Sequence, residues 1–186
     1  WFDAQACRLL TTHSRPPVVP VAAKAALYLE LDVCGRTLDA VAEDLIPLHA
    51  HHVLWDATVP AWTTAEQAHM RDLRHHVPEA LNHLAAQYHA NGGLKVSTEF
   101  CVPAERLHEM LLFVRDTAAQ SNVDSLVCYG HVGNAHPHIF MVGKDPGGVA
   151  CCRELAHRWC RRAVEMGGTV AGEHGVGKTR RDFLRH

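Results

Sequence analysis

Apolar residues recur along the chain with two spacings, one typical of strands and one typical of helices. Leu27, Leu29 and Leu31 alternate with polar neighbours, and this period of two predicts a strand with one solvent-facing side. Between residues 107 and 118 the apolar positions recur every three or four residues, which predicts an amphipathic helix. Pro103 precedes that helix, at a position where the first helical turn tolerates proline.

Further elements follow from the same patterns and from the glycine and proline residues between them. The predicted order after the first strand is helix 37–48, strand 53–59, helix 63–89 with a kink or break at Pro78, strand 95–102, the helix after Pro103, strands 125–132 and 138–142, helix 151–164 and a short last strand before Gly172. Helices alternate with strands throughout, without an internal repeat. This order predicts an α+β fold, with one mostly antiparallel sheet and helices packed on one face.

Composition narrows the classes of function. The 186 residues include 18 Lys and Arg against 20 Asp and Glu, a net charge of −2 that argues against a nucleic-acid-binding protein. No apolar run reaches the roughly 20 residues of a membrane-spanning helix. The seven cysteines are scattered and form no C-x-x-C pair, so we expect reduced thiols in a cytoplasmic protein. Because the first residue is Trp1 rather than methionine, we expect a fragment.

Three histidines lie close together in the segment 130–138, which reads Gly-His-Val-Gly-Asn-Ala-His-Pro-His. His136 and His138 are two residues apart, so on an extended backbone they face the same side, and the intervening turn can bring His131 back toward them. A cation could bind there. Spacing alone supports this interpretation no better than ordinary turn histidines with backbone partners.

A second segment, from Gly172 to Thr179, adds a carboxylate and another imidazole. Glu173 directly precedes His174, and two imidazoles with one carboxylate form a recognised metal-binding set that leaves positions open for substrate or water. The segment also matches the phosphate-loop pattern G-x-x-x-x-G-K-[ST]. A phosphate loop is the weaker interpretation, because only seven residues follow Thr179 and because Glu173 would face the phosphates.

Four ordered segments resemble the C-terminal, substrate-side domain of the FAD-linked oxidases related to D-lactate dehydrogenase, the glycolate oxidase D subunit and D-2-hydroxyglutarate dehydrogenase. Residues 130–138 resemble the family's GHxGDGNxH segment, and residues 169–178 resemble its GG(S/T)xxxEHGxG(R/K) segment. Residues 95–107 resemble its strand and VPxxRL helix start, and residues 73–75 resemble its (W/L)-x-x-R helix. The resemblance runs from about Ala25 to His186 and implies the ferredoxin-like cap domain of that family.

The resemblance implies an FAD-dependent enzyme that oxidises a D-2-hydroxy acid to the 2-oxo acid, with hydride transfer to the flavin. By carry-over, His131, His138 and Glu173 would bind a divalent metal, zinc or manganese, that polarises the substrate. His174 would be the catalytic base that takes the hydroxyl proton.

Other positions complete the implied substrate site. Arg74 would clamp the substrate carboxylate and Lys95 would add a second positive contact, with a solvated helix charge and a strand-edge lysine as the ordinary alternatives. His136 stands where the family has asparagine, so it is a candidate extra metal ligand or a replacement for the asparagine's contacts. Pro78 and Phe140 replace a threonine and an asparagine of the hydroxyglutarate-type members, which favours a smaller or more apolar acid such as D-lactate or a glycolate-like acid.

The family's FAD-binding domain lies N-terminal to this region. We therefore expect residues 1–24 to be a lead-in from that missing domain and residues 25–186 to be the C-terminal domain, truncated at its end. The fragment alone should neither retain FAD nor turn over substrate.

The expected partners are the 2-hydroxy acid, the FAD-binding domain and an electron acceptor of open identity, with no nucleic acid. The expected location is the cytoplasm, either free or peripheral at the inner membrane face. A non-catalytic metal-binding or interaction module of similar fold is the alternative.

Overall fold

The computed structural model describes residues 1–13, 19–20, 22–47, 58–121, 123, 125–177 and 181–185. Within them the chain forms, in order, β1 (Phe2–Asp3), α1 (Ala4–His13), β2 (Ala25–Ala26), α2 (Leu38–Glu43), α3 (Thr64–Ala86), β3 (Leu94–Glu99), α4 (Leu107–Ala119), β4 (Leu126–His131), β5 (His136–Gly143) and α5 (Pro146–Glu165). Short 3₁₀ helices lie at His89–Asn91, Ala104–Arg106, Val132–Asn134 and Arg181–Arg185.

The five strands form one antiparallel sheet in the order β2-β1-β4-β5-β3. The predicted α+β class is therefore confirmed. Strand β3 pairs with β5 along its whole length, from Leu94 opposite Gly143 to Glu99 opposite His138. Strands β4 and β5 form a hairpin, and this central ladder positions the histidine segment.

One face of the sheet packs against α4 and α5. Ile139 and Met141 of β5 point to this side and are fully buried, as are Met110 of α4 and Trp159 of α5. The indole Nε1 of Trp159 donates a hydrogen bond to Oγ1 of Thr117 at 2.8 Å, so the one polar atom of this large side chain is satisfied.

The opposite face packs in part against α1 and α3. Val127 of β4 and Val142 of β5 point to this side and join a second apolar cluster with Leu10, Val77 and Leu81. The expected arrangement had helices on one face, and the structure adds α1 and α3 to the other. The physical reason is that the strand residues on this side are also apolar, and helices packed over them bury their side chains away from water.

Helix α3 begins at a capping box, in which Thr63 and Glu66 satisfy each other's backbone N–H groups. The helix continues through Pro78, so the predicted break does not occur there. Leu73 and Leu81, on either side of the proline, are anchored in the same apolar cluster, and this packing offsets the lost backbone hydrogen bond.

The strand predicted around residues 27–31 is shorter than expected. Strand β2 covers only Ala25 and Ala26, and the three leucines after it are exposed. Strand β1 offers only Phe2 and Asp3 for pairing before α1 begins, so no partner among the described residues extends the ladder. The predicted helix 37–48 ends at Glu43, and the strand predicted at 53–59 lies largely outside the described residues.

In the part of the chain that the structure describes, no helix is both long enough and apolar enough to cross a membrane. All seven cysteines lie in that part, and none forms a disulfide. The redox state of the thiols stays a prediction.

Candidate active site

The β4–β5 hairpin carries three histidines on one side of the sheet. His131 ends β4, His136 begins β5, and the two residues pair directly across the hairpin. His138 follows two positions later, and the ring centroids of the three histidines are 4.5–5.9 Å apart. Gly130 permits this closure, because a Cβ at its position would lie 2.4 Å from the carbonyl oxygen of His136. The convergence predicted from the spacing is confirmed.

The segment after α5 reaches the same hairpin from the other side. Cys101 and Thr169 exchange two backbone hydrogen bonds of 2.9 Å, which hold the segment beside the end of β3. Gly172 then passes the ring of His136 so closely that a Cβ there would lie 2.0 Å from Nε2 of His136. Glycine at this position therefore allows Glu173 to reach the histidines.

Three donor atoms converge on the solvent side of the hairpin. Glu173 Oε1 lies 3.1 Å from His138 Nε2 and 3.3 Å from His131 Nε2. Ligand atoms that bind a tetrahedral zinc at its usual bond lengths stand about 3.3 Å apart. Two imidazole nitrogens and one carboxylate oxygen at these separations fit a zinc or manganese ion. The structure thus brings together the three side chains that the family resemblance implies as metal ligands.

Glu99, which the sequence reasoning missed, lies on the buried side of the cluster. It is 3% exposed, and its Oε2 lies 2.5 Å from His174 Nδ1, 3.3 Å from His138 Nδ1 and 3.5 Å from His136 Nε2. Glu99 alternates with other polar residues of β3, so its pattern predicts a solvent-facing side chain. The signal that identifies it is its register opposite His138, which only the strand pairing provides.

Burial and neighbouring charges set the protonation of the cluster. Desolvation lowers the pKa of His138, and the nearby His136 lowers it further, so a neutral imidazole is favoured. For Glu173, partial burial acts to raise the pKa, but the surrounding histidines together outweigh it and hold the pKa below its ordinary value. A neutral imidazole and an ionised carboxylate are the forms that bind divalent metals.

The three other predicted site residues lie at different distances from this centre. His136 is buried against Glu99, and it belongs to neither of the two donor groups that the described residues form. Lys95 shares the Glu99 side of β3 but lies about 13 Å away along the strand, and its Nζ lies 2.5 Å from Asn82 Oδ1. Arg74 is exposed on α3, with its guanidinium 5.7 Å from the Tyr28 ring centre.

The phosphate-loop interpretation gains no support from the fold. A phosphate loop joins a parallel strand to a helix, whereas the described strands are all antiparallel. The carboxylate of Glu173 faces imidazoles, as a metal ligand or an ion-pair partner would. Lys178 and Thr179, which complete the motif, lie outside the described residues.

Comparison with known families adds independent information. Residues 2–186 match the family model described as FAD linked oxidases, C-terminal domain.

Curated proteins give similar matches. The chain is 34% identical over 91 residues to the probable mitochondrial D-lactate dehydrogenase of Danio rerio. The matched residues make up 48% of this chain and 18% of that protein. It is 32% identical over 89 residues to the mitochondrial D-lactate dehydrogenase (cytochrome) 1 of Saccharomyces cerevisiae, a match that covers 47% of this chain and 15% of that protein. It is 26% identical over 170 residues to the glycolate oxidase subunit GlcD of Bacillus subtilis, covering 89% and 34%. The matches therefore span about a third or less of each relative's length.

Proposed function

Since the chain belongs to the family of C-terminal domains of FAD-linked oxidases, we propose that it forms the substrate- and metal-binding part of an FAD-dependent dehydrogenase. The proposed reaction oxidises a small D-2-hydroxy acid to the 2-oxo acid. The observation that carries the proposal is the convergence of His131, His138 and Glu173 beside His174. The side chains of His131 and Glu173 are each 48% exposed, and a catalytic metal site needs such an open side, whereas a structural ion is enclosed.

In this proposal the chain's residues divide between metal binding and proton transfer. His131, His138 and Glu173 would hold zinc or manganese, which would supply a Lewis acid for the substrate. FAD, bound mainly by an N-terminal domain of the family, supplies the hydride acceptor. His174 takes the hydroxyl proton at Nε2, an atom 3.7 Å from Glu173 Oε1 and thus at the edge of the metal ligands.

The side chains beside the histidines favour a small substrate. Phe2, Tyr129 and Phe140 stack across β1, β4 and β5 with centroid distances of 6.0 and 5.3 Å, and the Tyr129 ring lies 5.7 Å from that of His138. Phe140 offers no donor to a second carboxylate. We therefore favour D-lactate or a glycolate-like acid over a dicarboxylate, and the names of the matched relatives agree with this choice.

The proposed roles of Arg74 and Lys95 in binding the substrate carboxylate rest on the family resemblance. Arg74 would have to leave the Tyr28 ring to make a bidentate contact.

The absence of disulfides among the seven cysteines supports a cytoplasmic location, either free or peripheral at the inner membrane face.

Metal content is the first test of this proposal. After desalting, elemental analysis should give about one zinc or manganese per chain, and the double variant His131→Ala, His138→Ala should lose it because two of three ligands are gone. The matched control His83→Ala, His108→Ala replaces two exposed helical histidines outside the cluster and should keep the metal. Metal retained in the His131→Ala, His138→Ala protein would overturn the ligand assignment.

Flavin reduction tests the catalytic half of the proposal. In the complete protein with its FAD-binding domain, D-lactate should bleach the flavin absorbance. His174→Ala should keep the metal but slow this reduction about 10²- to 10⁴-fold, the usual contribution of a general base. Equally fast flavin reduction with and without His174 in the metal-loaded protein would overturn His174 as the base. No reduction by D-lactate in the metal-loaded wild type would favour a metal-binding module without catalysis.

A further inference from the structure

Glu99 is the one buried carboxylate among the described residues. An ionised carboxylate is costly to bury unless charges or hydrogen bonds compensate for the lost water. The carboxylate of Glu99 faces the imidazoles of His136, His138 and His174, so its burial is tied to this cluster.

The contact with His174 determines which nitrogen of that ring carries the proton. His174 Nδ1 lies 2.5 Å from Glu99 Oε2, and the backbone N–H of His174 donates to Glu99 Oε1 at 3.3 Å. A neutral imidazole bonded to a carboxylate through Nδ1 carries its proton there, so Nε2 keeps a lone pair. Nε2 is also the atom that borders Glu173, at 3.7 Å.

His138 has the same arrangement. Its Nδ1 lies 3.3 Å from Glu99 Oε2, whereas its Nε2 lies 3.1 Å from Glu173 Oε1 on the open side. A histidine that binds metal through Nε2 needs its proton on Nδ1, and a carboxylate facing Nδ1 favours that tautomer.

Glu99, His138 and His174 also converge closely enough to be considered as metal ligands themselves. Glu99 and His138 are only 3% and 6% exposed, so an ion held there would be more enclosed than one beside His131 and Glu173, whereas a catalytic metal needs an open side. The backbone N–H of His174 also donates to Glu99 Oε1 at 3.3 Å, so the carboxylate acts as a hydrogen-bond acceptor for that residue.

We propose that Glu99 is a positioning residue that fixes His138 and His174 as their Nδ1–H tautomers. His138 Nε2 is thereby available to the metal and His174 Nε2 to the substrate proton. This inference rests on the proposed function, and it assigns one buried carboxylate to the alignment of both a ligand and the base.

The test compares Glu99→Gln with Glu109→Gln in the complete, FAD-loaded protein. Glutamine keeps the shape of the side chain but removes its charge, and Glu109 is an exposed glutamate on α4 paired with Arg106 and Arg162. Chelator competition should show zinc bound about 10- to 100-fold more weakly in Glu99→Gln, the usual effect of losing a carboxylate behind a ligand histidine. At saturating zinc it should still bind about one ion per chain, whereas Glu173→Gln, which lacks a direct ligand, should bind far less.

Steady-state kinetics with D-lactate at saturating zinc provides the second measurement. In Glu99→Gln kcat should fall about 10- to 100-fold with a smaller change in KM, Glu99→Asp should recover part of the loss, and Glu109→Gln should match the wild type. Equal kcat and equal zinc affinity in Glu99→Gln and the wild type would overturn the proposal. So would loss of zinc in Glu99→Gln with full retention in Glu173→Gln, since Glu99 would then be a ligand.

Imidazole ¹⁵N chemical shifts of the wild-type protein test the inference without any substitution. Both His138 and His174 should be protonated at Nδ1, and an Nε2–H tautomer at either one contradicts the proposal even if Glu99→Gln fails to fold. If the wild-type protein binds no metal, the proposed function is contradicted. The assignment of Glu99 is still tested, because the tautomers of His138 and His174 can be read from the spectrum.

Discussion

The two faces of the sheet are built from the same strands but differ in what their polar groups do. On the face beneath α4 and α5, the Trp159 indole donates a hydrogen bond to Thr117, and Oγ1 of Thr98 lies 3.3 Å from the Cys160 sulfur. The buried polar atoms of this face therefore satisfy one another. On the opposite face the apolar cluster under α1 and α3 gives way, toward the β4–β5 turn, to Glu99 and the histidines.

Because of this difference, one strand carries both residues that stabilise the core and residues that belong to the candidate site. Neighbouring residues of a strand point to opposite faces, so a substitution acts mainly on one of them. Ile139 belongs to the closed core, whereas His138, the residue before it, belongs to the candidate site. Substitutions on the first face should therefore change the free energy of unfolding and leave metal binding alone, whereas substitutions near the β4–β5 turn on the second face should change metal binding.

The largest effect is expected from Trp159→Ala. The side chain is fully buried, so its loss should lower the free energy of unfolding by about 3–5 kcal/mol, measured by urea denaturation. Trp62→Ala is the matched control, because Trp62 is 65% exposed and its loss should change the value by about 0.5 kcal/mol or less. Similar unfolding midpoints for the two variants would mean that α5 is not part of the cooperative core.

Gly172→Ala should produce the opposite result, weaker metal binding with little loss of secondary structure. The new Cβ would lie 2.0 Å from His136 Nε2 and push Glu173 away from the hairpin, so zinc affinity should fall about 10- to 100-fold in a chelator titration. Gly133→Ala lies in the same hairpin turn with no atom within 4 Å of its Cβ and should bind zinc normally. Unchanged affinity in Gly172→Ala would show that the close approach is not needed.

A smaller effect is expected from Thr117→Val. The change leaves the buried indole N–H of Trp159 without its acceptor, so the free energy of unfolding should fall by about 1–2 kcal/mol, while zinc affinity stays the same. Thr117→Ser retains the hydroxyl oxygen and should recover most of the loss. A drop in zinc affinity in Thr117→Val would contradict the separation between the two faces.

Periodicity predicts the elements whose packing it reflects. Helices α4 and α5 have long apolar stripes that face one core, and both form. Helix α5 begins at Pro146 rather than at the predicted residue 151, because Asp145 caps it there. The apolar and polar alternation around residues 27–31 is as regular as these helical stripes. A strand also needs a partner strand, however, and β1 offers only two residues for pairing. Pairing is a property of distant segments, which a local pattern does not contain.

The candidate site divides in the same way. The convergence of His131 and His138 follows from a period of two and a short turn, both of which are local. Glu173 was found because it adjoins His174 in a motif. Glu99 required the register between β3 and β5, since its polar neighbours on the strand give no sign that this one position is buried.

The contact between Glu99 and His174 joins residues 75 positions apart in the chain. Closing so long a loop costs entropy that later contacts must offset, so this contact belongs to the slow, non-local part of folding. The histidine cluster is complete only after β3 has paired with β5 and the segment after α5 has docked. If the proposed metal site exists, an ion added early in refolding meets scattered side chains, whereas the same ion added late should stabilise the native chain by mass action.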